Sequence, residues 1–287
     1  MSKAVSTTSF AMNEAQGLLP PLVTEDNKSS RGRCLLIAGS EQYPGAGVLC
    51  SKAALRAGSG YVYLAQKVKP SLALLSPEVI PLELNLQNQI TEALAIALGP
   101  GTGLEEWVHA ALTRLSEEQH AKLVIDADAL TMLSRFPDIR LHPDWILTPH
   151  EGELARLLNV TAEQVRQDRV GWILQAQERF GCVIVLKGHR TLVADGKSLT
   201  ENLSGNAGLA KAGTGDVLTG IITAFRAQGL SSAQAARLGV FVHGVAADLW
   251  IQSKKDFLAL TASDVIENLP QALFEIRSFS TNPSKLS

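Results

Sequence analysis

The chain has 287 residues and a mass of 30.7 kDa, a length that allows two domains but is within reach of one large α/β domain. Hydrophobic residues make up 46% and charged residues only 19%, which excludes a disordered or highly charged chain. With 26 Lys and Arg against 28 Asp and Glu the net charge is −2, so no general electrostatic affinity draws nucleic acid or anionic lipid to it.

Residues 1–30 read as an N-terminal extension; Met1 to Asn13 is dominated by Ser, Thr and Ala and has no signal-peptide apolar run. Arg33 to Ala38 (RCLLIA) reads as a buried strand, followed by a loop from Gly39 to Pro44 and a helix from Gly45 to Arg56 that ends at Gly58. Further short strands are expected at Tyr61 to Ala65, Ala93 to Leu98, Leu123 to Asp126, Trp145 to Thr148 and Val183 to Lys187. Thr191 to Ala194 follows the last of these closely enough for a late hairpin. The C-terminal third is helical, with expected helices at Thr214 to Ala227, Ser232 to Ile251 and Ala262 to Phe274, the last capped by Ser263.

Continuous apolar strands alternating with helices predict an α/β fold, a central mostly parallel sheet flanked by helices on both faces. A single domain over residues 31–277 is preferred, with 278–287 a frayed tail. No stretch of 18 uncharged apolar residues occurs, so no membrane span is expected. Cys34, Cys50 and Cys182 are an odd set that fits no disulfide framework and no metal spacing; they read as reduced core thiols of a cytoplasmic protein.

Ligand sites of such sheets lie at the carboxyl ends of the strands. The loops there are rich in glycine and polar residues: Gly39-Ser40, Pro44 to Gly47, Gly99 to Gly103, Asp126 to Asp128, Thr148 to Glu153 and Lys187 to Thr191. Gly213-Thr214-Gly215-Asp216 opens an apolar helix, where backbone amides freed from side-chain crowding can hold a phosphoryl group. Asp216 reads either as a helix-dipole carboxylate or as a general base facing a substrate hydroxyl. There is no Walker pattern, and Gly99 to Gly103 is no dinucleotide fingerprint, because no third glycine or ribose-binding acid follows.

Gly213 to Asp216 resembles the anion-hole and base motif of the ribokinase-like superfamily. More narrowly, the chain resembles the ADP- or ATP-dependent NAD(P)H-hydrate dehydratases. The match runs through Gly39-Ser40, YPGA at 43–46, AALRAG at 53–58, GPGTG at 99–103, DADAL at 126–130, Thr148 to Glu153, Lys187 to Thr191, Gly205-Asn206 and Gly213 to Gly220. The resemblance implies a lyase reaction in which hydrated NADH or NADPH is dehydrated at the expense of ADP or ATP, with Mg2+ expected as cofactor.

It implies Asp216 as base and, with Ala46, Gly103 and His150, as contacts to the hydrated dinucleotide. Lys187, Gly188, His189, Arg190, Thr191 and Gly215 are implied contacts to the adenine nucleotide, and Gly213, Thr214 and Gly215 the anion hole. His150 has a plainer reading as the cap of the helix that follows, and Lys187 as a surface lysine. The chain departs from the family at Leu209-Ala210-Lys211-Ala212-Gly213, where relatives often have Met-Ala-Thr-Gly-Gly; Ala212 removes no amide, and Lys211 faces either the nucleotide or solvent. The epimerase domain fused N-terminally in some relatives has no room before Arg33, so that activity is not expected. Two other readings compete. One is a small-molecule kinase of the hydroxyethylthiazole or hydroxymethylpyrimidine type; the other is a non-catalytic nucleotide-binding module, against which an intact Asp216 argues. Neither metal ligands nor assembly into a homo-oligomer can be read from these residues.

Overall fold

The computed structural model describes residues 7–21, 23–67, 74–85, 95–118 and 122–280. Ten strands form one sheet: β1 Thr7–Phe10, β2 Arg33–Ile37, β3 Tyr61–Gln66, β4 Val79–Glu83, β5 Ala95–Leu98, β6 Leu123–Ile125, β7 Ile146–Leu147, β8 Val183–Leu186, β9 Leu192–Ala194 and β10 Leu199–Asn202. Their spatial order is β1-β10-β9-β8-β7-β6-β5-β2-β3-β4. Every neighbouring pair is parallel except β8–β9 and β9–β10, so β9 alone runs against the rest. The expected mostly parallel sheet and the expected hairpin are both present. Residues 93 and 94 of the expected strand ending at Leu98 lie outside the described residues.

Alternation along each strand divides the core into two layers. Cys34, Leu36, Val62, Leu64, Ala97 and Val185 face the helices Pro44–Arg56, Thr214–Ala227, Ser232–Gln252 and Ala262–Ser278. Leu35, Ile37, Ile96, Leu98, Ile125 and Ile184 face the helices Glu106–Glu117, Ala127–Arg135, Glu151–Leu158 and Arg169–Phe180. A strand covered on both faces has no reason to alternate with polar residues, which is why these segments read as unbroken apolar runs.

The structure adds strands β4 and β10, which the sequence reading did not include, and differs from that reading in further features. Part of the supposed N-terminal extension is structural: β1 pairs in parallel with β10, and Phe10 packs edge-on against Phe241 with ring centroids 5.5 Å apart. The last helix extends to Ser278, and its cap is Thr261 rather than Ser263. Thr261 Oγ1 accepts from the Asp264 amide at 3.3 Å while the Asp264 carboxylate accepts from the Thr261 amide at 2.8 Å, a reciprocal pair that Ser263, already inside the first turn, cannot make. Residues 281–287 of the expected tail lie outside the described residues.

The parallel strands aim their carboxyl ends at one edge. Between β2 and β5 the chain reverses its direction of winding, the switch point at which such sheets open a crevice. The loops following both strands meet there: the Gly39 amide donates to the Pro100 carbonyl at 2.6 Å.

Candidate functional site

At this switch point the 99–103 loop lies on the start of the helix Pro44–Arg56. A Cβ built on Gly101 would stand 2.7 Å from Ala46 Cβ, so only glycine lets the loop come so close. The Gly103 amide donates to Asp128 Oδ2 at 2.9 Å, and space beyond Gly103 is open. Ala46, Gly103 and Asp128 therefore share one wall.

The helix Thr214–Ala227 packs against the helix Pro44–Arg56. Gly213 adopts φ +90°, a conformation that favours glycine, and a Cβ there would stand 2.5 Å from Leu49 Cδ1, whose methyl would have to move. No side chain caps this helix. Thr214 donates its hydroxyl to the carbonyls of Leu209 and Lys211, each at 2.8 Å, and its amide to Lys211 at 3.4 Å. Within the expected anion hole the Gly213 and Gly215 amides, among the described residues, have no acceptor, and the Asp216 amide joins them. A Cβ on Gly215 would lie 3.6 Å from Lys187 Nζ, which sets an ammonium beside these donors.

Asp216 is held far above the ordinary carboxyl range, at about 7. Burial is the main cause; the Asp126 and Asp128 carboxylates add to it, and Lys187 opposes it. Asp126 is itself buried, its Oδ1 2.6 Å from Lys187 Nζ and its Oδ2 accepting from Thr219 Oγ1 at 2.7 Å. Lys187 Nζ also lies 3.7 Å from Glu153 Oε2. Burial alone would push the lysine's affinity for its proton down; Asp126 and Glu153 outweigh it and raise that affinity, so the site keeps a charged ammonium. Lys187 is thus no surface lysine.

His150 does cap the helix that follows. Its Nδ1 accepts from the amides of Gly152 at 2.9 Å and Glu153 at 3.3 Å, while Glu153 Oε2 accepts from the His150 amide at 2.7 Å. With Nδ1 accepting, the proton of a neutral ring sits on Nε2, and 55% of the side chain remains exposed. The Lys187 amide donates to Pro149 at 2.8 Å, so the 148–153 and 187–191 loops run side by side.

Lys187 to Thr191, together with Thr214, Gly215 and His243, line a cavity of about 390 Å3. Asp216, Ala46, Gly103 and His150 are not among the residues that line it. His243, which carried no signal in the sequence, is buried, with its pKa lowered to about 4 by burial despite a hydrogen bond to the Thr214 backbone, and contributes a neutral imidazole to the cavity. Lys211 turns away from the cavity to donate to the Leu258 carbonyl.

Magnesium finds no cage. Among the described residues no group of three or more His, Cys, Asp or Glu side chains stands close enough to hold an ion, and the buried carboxylates of Asp126 and Glu153 both face the Lys187 ammonium.

A family model described as NAD(P)H-hydrate dehydratase matches residues 34–271. The chain is 42% identical over 262 residues to the bifunctional NAD(P)H-hydrate repair enzyme of Vibrio cholerae, a match covering 89% of this chain and 52% of that protein. It spans about half the length of the curated relatives it matches. The solved ADP/ATP-dependent NAD(P)H-hydrate dehydratase of Bacillus subtilis, co-crystallised with ATP and Mg2+, superposes with a TM-score of 0.84 at 29% identity, covering 96% of this chain and 100% of that one. A ribokinase-like superfamily protein from Enterococcus faecalis superposes equally well, with a TM-score of 0.84 at 26% identity over 94% of this chain and 96% of that one. The fold is ribokinase-like.

Proposed function

The chain belongs to the NAD(P)H-hydrate dehydratase family, and on that footing we propose that it dehydrates hydrated NADH and NADPH to the reduced cofactors while consuming ADP or ATP. The observation that carries this reading is the half-buried Asp216 carboxyl, poised at about 7 beside uncapped helix amides and a charged lysine. A base near neutrality both accepts a proton readily and returns it readily.

Asp216 takes the proton of the nicotinamide-ring hydroxyl. The freed oxygen attacks the terminal phosphoryl group, which the Gly215 and Asp216 amides and the Lys187 ammonium hold in place; ATP is left as ADP, or ADP as AMP. Hydroxide leaves carbon poorly and phosphate leaves well. The C–O bond then breaks with its electron pair going to phosphate, a proton leaves the adjacent ring carbon, and the ring double bond returns. No electrons are exchanged with an external donor, so the dinucleotide is a substrate.

Ala46, Gly103 and His150 line the dinucleotide side on this reading, and Lys187 to Thr191 the nucleotide side. Magnesium comes with the nucleotide's phosphates, as it commonly does, and no residue of this chain is assigned to it. Three cysteines that form no disulfide suit the cytoplasm, and a net charge of −2 favours no nucleic-acid partner. The test is incubation with hydrated NADH and either nucleotide, following the absorbance of the reduced ring. Recovery with ADP or ATP is expected; no recovery with either overturns the assignment.

A further inference from the structure

Arg169 carries no motif and lies outside the cavity, yet its guanidinium holds the back of the 187–191 loop. It opens the helix Arg169–Phe180, and its side chain is only 18% exposed. Nη2 donates to the carbonyls of Leu186 at 3.2 Å and Lys187 at 3.3 Å. Nη1 donates to the carbonyl of His189 and, at 3.4 Å, to that of Arg190. Glu151 Oε1 lies 3.4 Å from Nε as an ion pair, without a hydrogen bond. Four carbonyls of five consecutive residues thus converge on one side chain.

A trans peptide sends its carbonyl and its N–H in opposite directions. With the carbonyls of Lys187, His189 and Arg190 turned to Arg169, the amides of Gly188, Arg190 and Thr191 must point away from it, and these are residues that line the cavity. Among the described residues the Gly188 and Arg190 amides have no acceptor. The backbone is held in uncommon conformations to achieve this, with φ +139° at Gly188 and φ +53° at Arg190, a non-glycine residue that needs a constraint to stay there. A Cβ on Gly188 would stand 3.0 Å from Nη2, so loop and guanidinium are fitted to each other. The Arg190 side chain, by contrast, is exposed and pairs with Glu201 at 3.5 Å.

We propose that Arg169 is the positioning residue of the nucleotide subsite: it orients the 187–191 backbone so that amides, rather than the side chains of His189 and Arg190, meet the hydrogen-bond acceptors of the adenine nucleotide. This rests on the assignment of that subsite above. Concave rows of backbone N–H groups are effective sites for such acceptors.

Calorimetric titration of ADP and ATP into the wild type, Arg169→Ala and Arg169→Lys tests it, together with steady-state KM and kcat for both substrates. Arg169→Ala is expected to weaken nucleotide binding by about tenfold or more, with kcat at saturating nucleotide and KM for the hydrated dinucleotide within a few-fold of wild type. Guanidinium at low millimolar concentration should restore part of the affinity, which a merely structural loss would not allow. Arg169→Lys keeps the charge but not the fork and should fall between; it serves as the reading if Arg169→Ala does not fold. Unchanged nucleotide affinity in both Arg169 variants, or parallel weakening of both substrates with a lowered Tm and no guanidinium rescue, overturns the proposal. A wild type that binds neither ADP nor ATP overturns the functional assignment itself.

Discussion

Lys187 Nζ lies 2.6 Å from Asp126 Oδ1, and the other oxygen of the same carboxylate is held by Thr219 at 2.7 Å. The pair has two opposite effects on Asp216: the Asp126 charge raises its pKa and the Lys187 charge lowers it. Replacing either partner should therefore move the acid limb of the kcat/KM profile in opposite directions. Asp126→Asn removes a neighbouring negative charge and should shift the limb to lower pH. Lys187→Met removes the positive one and should shift it higher, with a loss of kcat as well. Shifts of the same sign in both variants would mean that Asp216 is not the titrating base.

Asp216→Asn should lower turnover by ~10²–10⁴ while leaving nucleotide affinity within a few-fold. It should also stabilise the fold at alkaline pH. The carboxyl's pKa is about 7 in the fold against 3.8 ordinarily, so between these values the folded chain retains a proton that the unfolded chain has lost. Its contribution to stability is present below about pH 4 and is lost as pH rises through 7. Melting curves should show Asp216→Asn above wild type at pH 8 and close to it at pH 4. Equal melting points at both values would contradict the buried charge.

The capping geometry at His150 allows its two roles to be separated. His150→Ala should lower stability by about 1 kcal/mol through loss of the cap. His150→Asn can still cap, and should recover most of that stability without recovering affinity for the hydrated dinucleotide, since Nε2 is absent. If His150→Asn binds the dinucleotide normally, the residue is a cap and nothing more.

Gly213→Ala meets a left-handed backbone and Leu49 Cδ1 at 2.5 Å together. The conformational strain costs roughly 1–2 kcal/mol, and it falls on the residue that opens the helix start carrying Gly215 and Asp216. A fall in Tm accompanied by a loss of kcat is expected. Wild-type kinetics in this variant would show that the helix start need not be held so tightly.

The layered sheet was legible because strands such as Arg33–Ile37 and Val183–Leu186 are buried on both faces and read as plain apolar runs. Thr7–Phe10 and Val79–Glu83 escaped notice because they are the outermost strands, TTSF and VIPLE, with several exposed positions each. The motif Gly213 to Asp216 identified the helix start, but its electrostatic partners come from elsewhere: Asp126 meets Lys187 across 61 residues and Thr219 across 93. Arg169 was invisible for a related reason. It acts on backbone carbonyls, which every residue possesses, so its partners leave no trace in the sequence.

The edge pairing of β1 has a consequence for synthesis. Thr8 donates to the carbonyl of Leu199, 191 positions later in the chain. At ordinary ribosomal speeds the first strand waits on the order of 10–40 s for its partner to emerge. During that interval its backbone groups are open to pairing with another chain. A slower translation rate lengthens the exposure, so yield of native protein should depend on elongation speed between Phe10 and Asn202, a property that the finished fold no longer reveals.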